Sequence, residues 1–159
     1  MNDVVNDLGH RYKNPFHQRS ECQSLRARFF GAYGSETFPD IAVHCHAKAG
    51  ALGVELDFRQ SRDEGEIIGW IHSARGKVNG IIINAAGLSY TSISVMDALL
   101  TFDGDVTEVH LSNIDRREPF RNKTYSAKAA LGSICGWGRS AMSWRSRRWH
   151  SDDPSCLLQ

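Results

Sequence analysis

The chain has 159 residues, 41% hydrophobic and 23% charged, which is the composition of a single globular domain with enough chain to bury roughly 70% of its unfolded surface. A formal net charge of +1 gives no electrostatic reason to bind nucleic acid or an anionic membrane. No apolar run spans a bilayer, the start Met1-Asn-Asp-Val-Val lacks the basic and apolar regions of a secretory signal, and Cys22, Cys45, Cys135 and Cys156 show no CxxC spacing, so the expectation is a cytoplasmic protein without a zinc site or disulfide framework.

Residues 1–27 show no apolar period and read as irregular or disordered. Residues 29–35 have loop character, with Gly31 and Gly34 flanking Tyr33. A helix is expected from near Thr37 to about Leu52, with Pro39 in its first turn and Asp40 favourable to the amino-terminal dipole. Its Ile41, Cys45, Lys48 and Leu52 do not form a clean apolar stripe. His44-Cys45-His46 invites a metal reading, but neighbouring helical residues point about 100° apart and cannot converge on one ion. The preferred reading is a partly buried cysteine between two surface histidines.

Residues 54–58 alternate Val54, Leu56 and Phe58 with Glu55 and Asp57, as a strand does. Residues 64–75 follow with Ile67, Ile68, Ile71 and Ala74 on one helical face, and Gly76 is the stop. Residues 80–83 are a continuous run of the kind found in a strand covered on both faces. Thr91 or Ser92 can cap a helix whose Val95, Ala98 and Leu99 point inward, and residues 106–111 supply a further strand ending at Ser112-Asn113. Strand, helix, strand, helix, strand is a βαβαβ unit, whose parallel strands bring their polar carboxyl ends to one edge of the sheet, where open α/β folds bind ligands. The polar loop 115–121 beside that edge has two open readings: an anion or hydroxyl clamp, or a solvated loop with ion pairs among Asp115, Arg117 and Glu118. The glycine-rich stretch 132–138 reads as close packing or a turn rather than a phosphate cradle, since no strand precedes it with the spacing of a dinucleotide fingerprint.

Several of these stretches carry a family resemblance. Glu55-Leu-Asp-Phe-Arg-Gln-Ser61 with Glu64-Gly65-Glu66, the strand ending at Asn84 with Thr91-Ser92 after it, and Glu108-Val-His-Leu-Ser-Asn113 with Arg117 and Phe120-Arg121 resemble type II 3-dehydroquinate dehydratase. So do Phe29-Phe-Gly-Ala-Tyr33-Gly34-Ser35 and Gly132-Ser-Ile-Cys-Gly-Trp-Gly138. The resemblance covers about residues 28–138, between an irregular segment 1–27 and a divergent basic tail 139–159. It implies a flavodoxin-like three-layer α/β sandwich on a parallel sheet, and the anti elimination of water from 3-dehydroquinate to 3-dehydroshikimate through an enolate, with no metal or other cofactor.

By position, the resemblance implies that Tyr33 is the base that takes the C2 proton, assisted by Arg28. His110 matches the acid that protonates the departing C1 hydroxyl. Glu108, two residues earlier on the same strand face, can orient and charge its imidazole. Asn84 matches the residue that holds the substrate and an enolate-stabilising water. The amides of Leu111 and Ser112 match the carboxylate site, Arg121 and Arg117 the loop arginines, Tyr90 a contact to the substrate hydroxyls, and Asp97 an acid that reaches a neighbouring subunit's site. The family assembles as trimers grouped into dodecamers.

The chain also departs from the family pattern. Tyr90 stands where the family has a histidine, which is expected to weaken substrate binding, and Ala85-Ala86-Gly87-Leu88 replaces a proline-containing turn. At the ends, Gln18-Arg-Ser-Glu-Cys-Gln-Ser-Leu-Arg-Ala27 replaces the family's first strand and Arg139-Ser-Ala-Met-Ser-Trp-Arg-Ser-Arg-Arg-Trp-His150 its final helix, as a shifted reading frame or a degraded gene would produce. Loss of the first strand predicts unpaired neighbouring strand edges inside the sheet. The alternative function is therefore a catalytically impaired or inactive remnant that retains the scaffold for ligand binding or self-association.

Overall fold

The computed structural model describes residues 37–138, 140, 141 and 155–158. The chain divides into Met1–Phe30 and Gly31–Gln159, and every described residue belongs to the second unit. Expectations for residues 1–36, including Arg28 and Tyr33, lie outside the described residues.

Helix α1 (Phe38–Ala51) opens on a capping box: the Asp40 carboxylate accepts from the Thr37 amide at 2.7 Å and Thr37 Oγ1 accepts from the Asp40 amide at 3.4 Å, while Pro39 fits a first turn that needs no amide donor. Its buried stripe is Ile41, Cys45 and Ala49 at four-residue spacing. The four residues Ile41, Cys45, Lys48 and Leu52 form no clean stripe because the small Ala49, rather than the charged Lys48, closes the face against the sheet. Strand β1 (Glu55–Phe58) follows. Helix α2 (Glu64–Ala74) is capped by Asp63, which accepts from the Glu66 amide at 2.8 Å, and buries Ile67, Ile71 and Ala74; Gly76 leaves the helix at φ +66°, a conformation that favours glycine.

Strand β2 (Gly80–Ile83) is buried along its whole length. The short α3 (Leu88–Thr91) leads to α4 (Ile93–Leu100), where Ser92 Oγ accepts from the Val95 amide at 2.8 Å and Val95, Ala98 and Leu99 turn inward. Strand β3 (Asp105–His110) begins one residue before its expected start. Three 3-10 turns, Ile114–Arg116, Pro119–Asn122 and Ser126–Lys128, carry the chain to β4 (Gly132–Cys135). The glycine-rich stretch is thus corrected in its first half, which is a strand. Its second half is the expected close-packed turn: Gly136 has φ +82°, and a Cβ there would stand 3.0 Å from Asn113 Cβ.

The sheet has the order β1-β5-β2-β3-β4, with β5 (Ser155–Leu158) coming from the carboxyl end of the chain, and every described pairing is parallel. This corrects the expectation of unpaired inner edges. β5 occupies the second place in the order, where Leu157 stands between Asp57 of β1 and Ile81 of β2. The central strands carry apolar side chains on both faces because alternate residues serve different layers. Ile82 and Val109 pack with Ile41, Cys45 and Ala49 of α1, while Ile81, Ile83 and Val106 pack with Ile67 and Ile71 of α2 and Val95 and Leu99 of α4. Ile71, Ile81, Ile82 and Ile83, each at 1% exposure or less, contribute roughly 1.5–3 kcal/mol apiece by leaving water. Helices on both faces hold the carboxyl ends of β2 and β3 rigidly side by side.

Candidate active site

Glu108 and His110 lie two residues apart on β3 and share the sheet face of Val106. Both are buried, at 1% and 4% exposure. His110 Nε2 stands 3.2 Å from Glu108 Oε1, an ion-pair distance without the alignment of a full hydrogen bond. Glu108 also accepts from Thr124 Oγ1 at 3.0 Å, Ser126 Oγ at 2.5 Å and Ser133 Oγ at 2.7 Å. Burial alone would raise its pKa, but His110, Ser126 and Ser133 overcome that effect and hold the carboxyl down at about 2. Glu108 is therefore an anion at any physiological pH.

These three hydroxyls around Glu108 are contacts that sequence reasoning missed. Ser133 faces Glu108 only because β3 and β4 run parallel in the register that pairs them, and Thr124 and Ser126 are returned to the sheet by the third 3-10 turn. The one local signal is the density of hydroxyl residues after the basic loop, which has no spacing rule to connect it with β3.

Tyr90 on α3 covers His110, with ring centroids 6.1 Å apart and planes inclined by 27°. The ring also meets Phe120 edge-on at 6.1 Å, and the Arg121 guanidinium lies 5.1 Å from its centroid. Burial pushes the Tyr90 hydroxyl above its ordinary pKa despite the opposing Arg121, so it remains a neutral phenol. In the basic loop Arg121 Nε donates to Glu118 at 2.6 Å and Arg117 Nε stands 3.6 Å from the same carboxylate. Ion pairing centred on Glu118 is what the loop shows, but its arginines are not solvated: their side chains are 13% exposed for Arg117 and 21% for Arg121. The loop is a half-buried basic wall next to Tyr90.

Asn84 directly follows β2, half-buried, one position beyond the Ile83–Glu108 pairing. Leu111 and Ser112 continue from β3, both buried, and the Leu111 carbonyl accepts from the Gly138 amide at 3.0 Å. Parallel pairing therefore brings Asn84, Glu108, His110, Leu111 and Ser112 to the same sheet edge, and Tyr90, Arg117 and Arg121 close in from the loops. Asp97 stands apart, on the exposed side of α4. Arg28 and Tyr33 lie outside the described residues. In the candidate metal stretch, Cys45 points into the core and burial raises its thiol to about 11, while His46 meets the Phe58 ring.

Such a site offers a fixed anion, an imidazole, a neutral phenol and two guanidinium groups around the ends of β2 and β3, a set suited to proton transfer on a polar, anionic substrate. The dehydroquinase class II family profile matches residues 20–145. The 3-dehydroquinate dehydratase 2 of Pseudomonas putida is 48% identical over 106 residues, which is 67% of this chain and 71% of the relative. The 3-dehydroquinate dehydratase of Streptomyces coelicolor is 50% identical over 107 residues, 67% of this chain and 68% of the relative. Among solved structures, the type II dehydroquinase from Propionibacterium acnes has a TM-score of 0.75 and 31% identity, covering 81% of this chain and 89% of its own. Profile, sequence relatives and superposable fold agree, and the chain belongs to the class II dehydroquinase family.

Proposed function

We propose that the chain is a 3-dehydroquinate dehydratase, a hydro-lyase of the shikimate pathway acting in aromatic amino acid biosynthesis or quinate metabolism. The observation that carries the reading is the buried Glu108–His110 pair at the carboxyl end of β3, beside Asn84 and the two loop arginines. Tyr33, with Arg28 favouring its phenolate, removes the C2 proton and leaves an enolate, which Asn84 stabilises through a held water. The enolate re-forms the carbonyl as the C1–oxygen bond breaks, and His110 gives its proton to the departing hydroxyl, so a C1–C2 double bond and one water result. The amides of Leu111 and Ser112 take the substrate carboxylate, Arg117, Arg121 and the Tyr90 hydroxyl address its ring hydroxyls, and Asp97 serves a neighbouring subunit. No cofactor enters the reaction.

The reading extends to assembly and place: a homo-oligomer of trimers grouped into dodecamers, acting in the cytoplasm. Its support against an inactive remnant is a Glu108 carboxylate fully supplied with donors, a costly arrangement for a chain that no longer uses it. The direct test follows 3-dehydroshikimate formation from 3-dehydroquinate by enone absorbance. Tyr33→Phe and His110→Ala are each expected to lower kcat by about 10²–10⁴-fold with the oligomer intact. A folded parent chain that forms no product would overturn the assignment.

A further inference from the structure

Glu108 is held by far more than its histidine. Oε2 receives the hydroxyls of Thr124 and Ser133, and Oε1 receives that of Ser126 while facing His110 Nε2. Thr124 Oγ1 also accepts from the Ala127 amide at 3.3 Å, which fixes its orientation and commits its single proton to Glu108. These donors come from separate segments: the chain entering the last 3-10 turn, the turn itself, and β4.

A buried carboxylate beside an imidazole can relieve its isolation in two ways. It can take the ring's proton and become neutral, or it can be supplied with other donors and remain an anion. An O–H aimed at each carboxylate oxygen favours the second, since a protonated carboxyl loses acceptor capacity toward those hydroxyls. The other ionisable groups around Glu108 do not replace this supply. Cys135 on β4 and Tyr90 on α3 are both neutral groups whose ionisation the Glu108 charge opposes, and Arg117 and Arg121 pair with Glu118 in the loop.

Resting on the dehydratase reading above, we infer that Thr124, Ser126 and Ser133 are positioning residues that fix Glu108 as the anion of its pair with His110, so that the proton stays on the imidazole for delivery to the leaving hydroxyl. The three never touch the reacting atoms. They act through Glu108, and their effect belongs to kcat and its pH dependence rather than to substrate binding.

The test uses Ser133→Ala, Ser126→Ala and the double variant of the full chain, with Ser133→Thr as the hydroxyl-keeping control. Ser133 is in the exposed first half of β4 and outside both apolar clusters, so its single replacement removes no core side chain. The Glu108 carboxyl, followed by ¹³C NMR, should titrate about one pH unit or more higher in the double variant, with kcat failing on the acid side at correspondingly higher pH and KM little changed. Ser133→Thr should restore the parental profile. A Glu108 titration that does not move would overturn the inference, as would a loss of kcat equal at every pH. Because the titration needs no turnover, a parent without dehydratase activity would defeat the functional reading alone and leave this one still tested.

Discussion

Tyr90 stacks on His110 at 6.1 Å while the Arg121 guanidinium lies 5.1 Å from the centroid of the same tyrosine ring. One aromatic side chain thus joins the proposed acid to the basic loop. The stack sets the imidazole against the Tyr90 ring, and the nearby Arg121 charge opposes the burial that raises the phenol's pKa. Tyr90 therefore makes two contacts through one ring and carries a hydroxyl besides, and ring and hydroxyl are separable by substitution.

Tyr90→Phe keeps the stack and removes the hydroxyl. Substrate binding should weaken, with KM rising about 2- to 10-fold, the equivalent of one neutral hydrogen bond to a substrate hydroxyl, while kcat stays near the parental value. Steady-state kinetics on 3-dehydroquinate reads this split. An equal fall in kcat at unchanged KM would instead assign the hydroxyl to the chemical step.

Glu108 makes acid stability predictable in sign. Its carboxyl titrates at about 2 in the folded chain against an ordinary 4.5, so its stabilisation is complete above about pH 4.5 and is lost as pH falls through 2. The shift corresponds to roughly 3 kcal/mol over that interval. Glu108→Gln cannot titrate, and its unfolding free energy should fall less steeply than the parent's between pH 5 and 2. Parallel curves for the two proteins in denaturant titrations would contradict the assignment.

Ser92 offers a contrast outside the site. Its hydroxyl caps α4 by accepting from the Val95 amide and donates to Glu64 of α2. Ser92→Ala should cost about 1 kcal/mol or somewhat more, since it removes a helix cap and leaves a part-buried carboxylate one donor short. Thermal unfolding should register that loss while the pH dependence of kcat keeps its shape.

The elements that sequence pattern revealed are those whose evidence is local. Residues 80–83 announce a doubly covered strand by being apolar throughout, Ser92 announces a helix start by preceding Val95, Ala98 and Leu99, and Glu108 and His110 announce a shared face by their spacing. What stayed hidden depends on contacts between distant segments. Ser133 reaches Glu108 through strand register, and Thr124 and Ser126 reach it through a turn with no strong composition signal. Ala49 carries no such local signal, because a small residue looks neutral in an apolar pattern, although it closes the stripe of Ile41 and Cys45. The second strand of the sheet was the largest such case. Ser155-Cys-Leu-Leu158 is too short, and too far from β1 and β2 in sequence, for any periodicity to place it between them.

That strand leads to a prediction about the tail. β5 is paired on both sides, to β1 and to β2, and a proline within it would delete an amide from an interior ladder. Leu157→Pro strikes the position facing both Asp57 and Ile81, whereas Glu55→Pro falls on the first residue of the edge strand β1, where proline is tolerated. Leu157→Pro should therefore lower the unfolding free energy by about 3 kcal/mol or more, and Glu55→Pro by clearly less. Chemical denaturation of the two variants decides the matter. If Leu157→Pro unfolds at the parental midpoint, the carboxyl-terminal segment does not complete the sheet, and β1 and β2 must meet some other strand. If it unfolds early while Glu55→Pro does not, residues 155–158 belong to the domain rather than to a dispensable tail, and the sheet that holds Asn84 and His110 in place depends on them.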